Sequence, residues 1–406
     1  MRKFSPLIAL TLLACSIVLT PLTINAQDEK RDEFIRLWYA TCYTEKNEDK
    51  CYQLSKELVA KYPDIDYAKN AKSIIRNKDL KDAWQKFQAA LDAYYKQPPQ
   101  TAAKLEALFA AGDAYLQVEP DQQSPSHLFA LGQMAVAGQQ ASLGKLYENL
   151  DKAKDYTERA MKAFENAQAS ENTKKDFDLY VVPLKDYVLA NGNQFLGFRL
   201  TETKGDQEQA LNYLTKATQV KCKDCAGWKD HYNYWLRSTI YSNQYSELRK
   251  QYDALPVEQK TSEVGKEILK KVNQLLDTKL IPEYARVLAT ATKPEAKGIY
   301  DAAKSQFDAF WKYRTDAPDK AADYIKNYAA DPTIATVAIP VKVETAENAA
   351  APTAPVAGAA NVKLSSSGGG AAPGANGKSA TNGNGGKAAP AKGSKATKSK
   401  GKKRRG

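Results

Sequence analysis

Few residues in this chain could do chemistry beyond packing: it holds 5 Cys and 2 His among 406 residues. Cys222 and Cys225 stand as Cys-Lys-Asp-Cys, a spacing shared by dithiol redox centres, haem attachment sites, half zinc sites and short structural disulfides. Residue 226 is Ala, so the haem pattern, which needs His there, fails. A redox centre wants a strand before the first cysteine and a helix after the second, whereas helix-like sequence precedes Cys222. Zinc would require Cys42 and Cys51 to converge on the same point, at spacings unlike the usual knuckles. Pairing Cys42 with Cys51 and Cys222 with Cys225 is the economical choice among the connectivities that four cysteines allow. Dithiol chemistry and metal binding stay open beside it. His127 and His231 are far apart in sequence, and Asp230 forms no dyad with His231 because neighbours on a helix point in different directions. The string Gly374 to Ser379 approximates a phosphate loop, but Ala372 stands where its first glycine should be. The sequence therefore implies no catalytic residue, no metal and no cofactor, and it reads as a non-enzyme.

Aromatic residues offer a second kind of site. Trp228, Tyr232 and Trp235, spaced by four and three, form one helical stripe, while Tyr234, Tyr241 and Tyr245 fall elsewhere on the helix surface. Those three tyrosines could stack on sugars or on peptide side chains. A core stripe with packing between repeats is the favoured reading of the same spacings, because repeat folds need large residues there.

These residues need elements to hold them, and the apolar spacing says which. Leu37, Ala40, Leu54 and Leu58, then Trp84, Phe87, Leu91 and Tyr94, recur at three and four rather than two. Alternating stretches are missing, and 12 of the 22 Gly lie after residue 350. An all-α body over residues 27–331 follows. No aromatic residue follows Tyr328, so folding should stop near residue 331. Residues 332–360 then read as an Ala/Pro/Val-rich linker and 361–406 as a disordered Gly/Ala/Lys-rich tail.

Charge divides the same way. The net +12 resolves into a body close to neutral and a tail without acids, whose cations include Lys392, Lys395, Lys398, Lys400, Lys402, Lys403, Arg404 and Arg405. Such a polycation binds anionic polymers or membrane surfaces by counterion release, and nucleic acid only without sequence selectivity. The N-terminus reads as a secretory signal over residues 1–26. Arg2 and Lys3 precede an apolar run from Pro6 to Thr20, and small residues lead to cleavage between Ala26 and Gln27. Export to the periplasm or outer membrane is the expectation, with acylation at Cys15 in Leu-Leu-Ala-Cys as the lesser alternative. A mean hydropathy of −0.57 excludes a protein with many membrane spans.

The helices come in pairs with a recurring small-large-small pattern. Ala153, Thr157 and Ala160 share offsets with Ala210, Leu214 and Ala217, Leu196-Gly197 precedes the second set, and Pro63, Pro120 and Pro332 close segments. This resembles the tetratricopeptide repeat, a helix-turn-helix unit of about 34 residues. The unit around residues 193–222 is the clearest, although Cys222 stands where the family has Pro. The resemblance implies a solenoid of helix pairs, a TPR-like superhelix, holding a protein or peptide partner in its groove. The alternatives are a carbohydrate-binding component of an envelope uptake system, using Tyr234, Tyr241 and Tyr245, and a dithiol oxidoreductase using Cys222 and Cys225. The resemblance also sets Cys51 at a small-residue position facing the helix of Cys42.

Intact-mass measurement of the exported protein checks the signal: the expected mature chain starts at Gln27, and an acylated Cys15 terminus would overturn soluble export.

Overall fold

The computed structural model describes residues 28–342 except Lys223, so the signal segment, Cys15, Ala26, Gln27 and the tail cations all lie outside the described residues. Helices are the regular elements of the described chain, joined by one isolated antiparallel bridge between Thr315 and Val341. Short polar side chains start several of them. Asn47, Thr101, Ser124, Asn149 and Asp206 each accept a hydrogen bond from the backbone N–H three residues on, satisfying a donor the helix leaves orphaned.

The first helices are α1 (28–39), which ends in a π-helical turn over Ala40–Thr44, then α2 (Glu48–Lys61) and α3 (Asp66–Lys96). Trp38, Leu58 and Ala71 form their small core, and the Trp38 indole N–H donates to Ser55 Oγ at 2.8 Å. A disulfide joins Cys42 to Cys51 across the turn, with 4.9 Å between the Cα atoms. Helix α3, about 46 Å long at 1.5 Å per residue, passes from this core into the next, where Phe87, Leu91 and Tyr94 are buried.

That larger core is built by α4 (Ala102–Val118), α5 (Pro125–Leu143) and α6 (Leu150–Glu165), together with a short α7 (Lys174–Asp176). A π-helical turn over Phe177–Val181 leads from α7 into α8 (Val182–Glu202). Helix α5 is buried almost all round, because α4, α6 and α8 pack around it. Consecutive helices otherwise pair in order, α2 on α3, α3 on α4, α5 on α6 and α8 on α9 (Gln207–Gln219). Small residues permit the last pairing: a Cβ on Gly197 would sit 2.6 Å from Leu214 Cγ and 3.3 Å from the Ala210 carbonyl oxygen.

A second core lies among α9, α10 (His231–Asp253) and α13 (Ile281–Thr290), with α14 (Lys297–Arg314) and α15 (Ala321–Lys326) closing it. Between α10 and α13 come the short α11 (Val257–Lys260) and then α12 (Glu263–Leu275), which continues as a π-helical turn over Leu276–Leu280.

The ordered body does not stop at residue 331. Residues 332–342, assigned from composition to the linker, fold back as a strap. Arg286 donates to the carbonyl oxygens of Pro332 and Ile334 at 2.8 and 3.0 Å, Tyr324 donates to that of Val337 at 3.0 Å, and Ile339 is buried. Counting aromatics misses this segment because its anchors are aliphatic and its backbone is held by side chains from the body. Beneath it, Glu283 Oε1 accepts from Arg237 at 2.8 Å and from Arg286 at 2.9 Å, with the carboxylate almost wholly buried. Glu283→Ala would leave both guanidinium groups without their counter-charge, so a loss of about 3 kcal/mol is expected in urea unfolding. An unchanged midpoint would mean that the triad does not hold the strap.

Candidate functional site

Cys222 and Cys225 are joined by a disulfide in the loop between α9 and α10. Neither sulfur stands at a helix N-terminus, since Cys222 follows the end of α9 at Gln219 and Cys225 precedes the start of α10 at His231. The helix dipole that lowers a redox thiol's pKa is thus directed elsewhere. The loop is tight: a Cβ on Gly227 would meet the Val220 carbonyl oxygen at 2.3 Å and both sulfurs within 3.0 Å. Its backbone is captured by amides, with Ala226 N–H donating to Asn191 Oδ1 at 2.9 Å and Asn233 Nδ2 donating to the carbonyls of Ala226 and Gly227 at 2.8 and 3.1 Å. Among the described residues no three His, Cys, Asp or Glu side chains gather as a metal site would need.

The tyrosines assigned to a ligand surface are in the core. Tyr234, Tyr241 and Tyr245 are all at most 9% exposed. Trp228 lies in the loop before α10, so the expected stripe reduces to Tyr232 and Trp235, and α10 is covered on several sides at once by α8, α9, α12 and α13. The Tyr234 hydroxyl donates to the Trp228 carbonyl at 2.5 Å, and Tyr245 packs edge-on to Phe310 at 5.2 Å. Burial pushes the Tyr245 phenol up to about 12. No sugar can stack on these rings while the body is folded.

A group of exposed aromatics lies instead on the first helices. Tyr39, Tyr43 and Tyr67 are 53%, 47% and 44% exposed, beside the exposed Leu37. The rings of Tyr39 and Tyr43 are 4.8 Å apart, Tyr43 packs edge-on to Trp38 at 5.7 Å, and Tyr67 does so at 6.1 Å. The π-helical turn and the Cys42 to Cys51 disulfide hold this patch, and Lys46 turns the chain in the left-handed region at φ 54°. A signal was available in the spacing Tyr39, Tyr43, which places two rings one turn apart beside a cysteine-closed bend.

A groove of about 1030 Å³ opens between the α8–α9 turn, α10 and α12. Lys204, Lys250, Lys271 and Lys279 line it with Glu247 as their acidic neighbour, and Asn243, Gln244 and Gln274 supply amides. Its apolar lining is Leu248 and Leu275. Lys271 lies 4.0 Å from Glu267, but no carboxylate among the described residues stands within ion-pair distance of Lys204, Lys250 or Lys279. Elsewhere Lys266 pairs with Glu263 and Lys304 with Asp308. No helix among the described residues is long and apolar enough to cross a membrane.

No protein-family profile matches this chain, and no curated protein or solved structure matches it either.

Both histidines serve packing. His127 is buried with Nδ1 3.2 Å from the Glu119 carbonyl oxygen, and desolvation lowers its pKa against the smaller opposing pull of Glu119. His231 is lowered mainly by desolvation too, with Asp230 opposing. Depressed folded values mean that their contribution is fully present above the unfolded value of about 6.5 and is lost as pH falls through the folded values. Stability in urea should therefore decline from pH 7 to pH 5, and His127→Gln should flatten that decline. An equally steep decline in the variant would refute the assignment to His127.

Proposed function

We propose that this protein is a non-enzymatic, exported helical-repeat scaffold that binds a protein partner in the cell envelope, with its basic tail on anionic envelope polymers. The ordered pairing of α2 with α3, α3 with α4, α5 with α6 and α8 with α9 supports a repeat architecture of the tetratricopeptide kind. So does the close contact of Gly197 with Ala210 and Leu214.

The observation that carries the partner reading is the aromatic patch of Tyr39, Tyr43 and Tyr67. It sits on the first helices of the stack, and the end units of a repeat array are ordinarily polar outside because no further unit covers them. Exposed aromatic surface clustered round Trp38 at such an end marks a contact site, and tyrosine is among the residues most enriched at the energetic centres of interfaces. A rigid, disulfide-closed hairpin also loses little conformational freedom on binding. The groove among α9, α10 and α12 suits a protein partner less, since its lining offers few apolar anchors.

Affinity capture from envelope extracts tests the reading. The native chain should retain a partner that the Tyr39→Ala, Tyr43→Ala double variant loses, with thermal stability close to native because both rings are exposed. Identical capture by the variant would reject the patch as the contact.

A further inference from the structure

The groove between α10 and α12 points to a second site, distinct from the aromatic patch. We infer that it binds an acidic polysaccharide, a polymer carrying carboxylate or sulfate groups on a hydroxyl-rich backbone, and that the folded body thereby shares one ligand with the tail.

The lining is the first ground. Lys204, Lys250, Lys271 and Lys279 surround a cavity of about 1030 Å³ that holds Glu247 as its acid, and three of the four have no carboxylate beside them. Like charges gathered round one concavity repel each other, and a bound polyanion relieves that repulsion and releases its own counterions. Lys271, Gln274, Thr278 and Lys279 recur along one face of α12 and its π-helical extension, about 12 Å from end to end at 1.5 Å per residue. The π turn lets neighbours serve opposite sides: Asp277 is held by Arg314 at 2.7 and 2.8 Å, while Thr278 and Lys279 face the groove.

The remaining side chains choose among polyanions. Gln207, Asn243, Gln244, Gln274, Ser246 and Thr278 offer amide and hydroxyl groups that match the hydroxyls of a sugar chain. No aromatic ring lines the groove on which a nucleotide base could stack, and no arginine stands there to grip a base edge or a phosphate with two parallel hydrogen bonds. A peptide would find little beyond Leu248 and Leu275 for its side chains. A lipid surface is flat, whereas this site is concave.

The proposed contact of the basic tail would make two cationic sites on one chain, and each raises the effective concentration of the other for a polymer long enough to reach both.

The test uses full-length protein and titrates a polyuronate, with polyglutamate and neutral dextran as comparators, over a range of salt. In Lys204→Gln, Lys250→Gln, Lys271→Gln, Lys279→Gln, polyuronate affinity should fall about tenfold or more. The slope of log affinity against log salt should fall by about 2. Neutralising the tail cations Lys392 to Arg405 to Gln should leave a weaker, saturable binding that the groove substitutions then remove. Equal affinity and slope with and without the groove lysines, in the native and the tail-neutralised chain, would overturn the proposal. Groove-dependent binding of polyglutamate at higher affinity than polyuronate would overturn the polysaccharide in favour of an acidic peptide. Thermal unfolding of each variant confirms that the exposed substitutions leave the body folded. Because Tyr39 and Tyr43 are untouched here, failure of this site leaves the partner reading standing, and failure of the partner reading leaves this site standing.

Discussion

One buried amide holds the two large cores of this protein in register. Asn233, at the start of α10, donates to the carbonyls of Ala226 and Gly227 and accepts at 3.2 Å from Gln194 of α8, while Asn191 of the same helix receives the Ala226 N–H. Helix α8 contributes Leu184 to Leu196 to the first core and presses Phe198 and Leu200 on the second. A wholly apolar seam could slide with little penalty, because dispersion is not directional. A buried amide that must keep three partners cannot, since each lost partner leaves a desolvated polar group. The Cys222 to Cys225 disulfide and the tight Gly227 turn fix the loop whose carbonyls the amide reads. The groove depends on this register, because Lys204 comes from the α8–α9 turn and its facing residues come from α10 and α12.

Charge is handled in two ways that serve different ends. Where it must be buried, it is paired within one tight group, as with Glu283, Arg237 and Arg286, and the arginine left with spare donors ties down the strap. Where it is exposed, part of it is matched one helical turn away, as in Lys266 with Glu263, Lys297 with Asp301 and Lys304 with Asp308, and the groove gathers four lysines round one acid. In a body close to neutral, four lysines gathered in one concavity stand out by their local density.

Much of the architecture was legible in the spacing of Leu37, Ala40, Leu54 and Leu58 and of the Ala210, Leu214, Ala217 set, because a helix that buries one face must repeat every three or four residues. The spacing favoured a packing role for Tyr234, Tyr241 and Tyr245, but not the enclosure of their helix on several sides, which leaves no polar face for a pattern to reveal. The strap was hidden for a related reason: residues 332–342 have no period of their own and are ordered by Arg286, Tyr324 and Tyr328 from elsewhere. The groove arises from residues brought together only by packing and leaves no contiguous motif, whereas the aromatic patch shows in sequence only as the pair Tyr39, Tyr43. Cys42, Cys51, Cys222 and Cys225 were placed by short spacing alone, and their chemistry turned on where helices begin, which spacing does not fix.

If Asn233 sets the register between the cores, the two should open together in the native protein and separately without it. Hydrogen exchange followed by peptide mass on the native chain and on Asn233→Ala measures this directly. The native chain should show α5 and α13 opening at one common free energy. In the variant the α10–α14 half should open about 1–3 kcal/mol more easily while the first core keeps its protection. Equal protection of both halves in the variant, at native values, would contradict the role given to the seam.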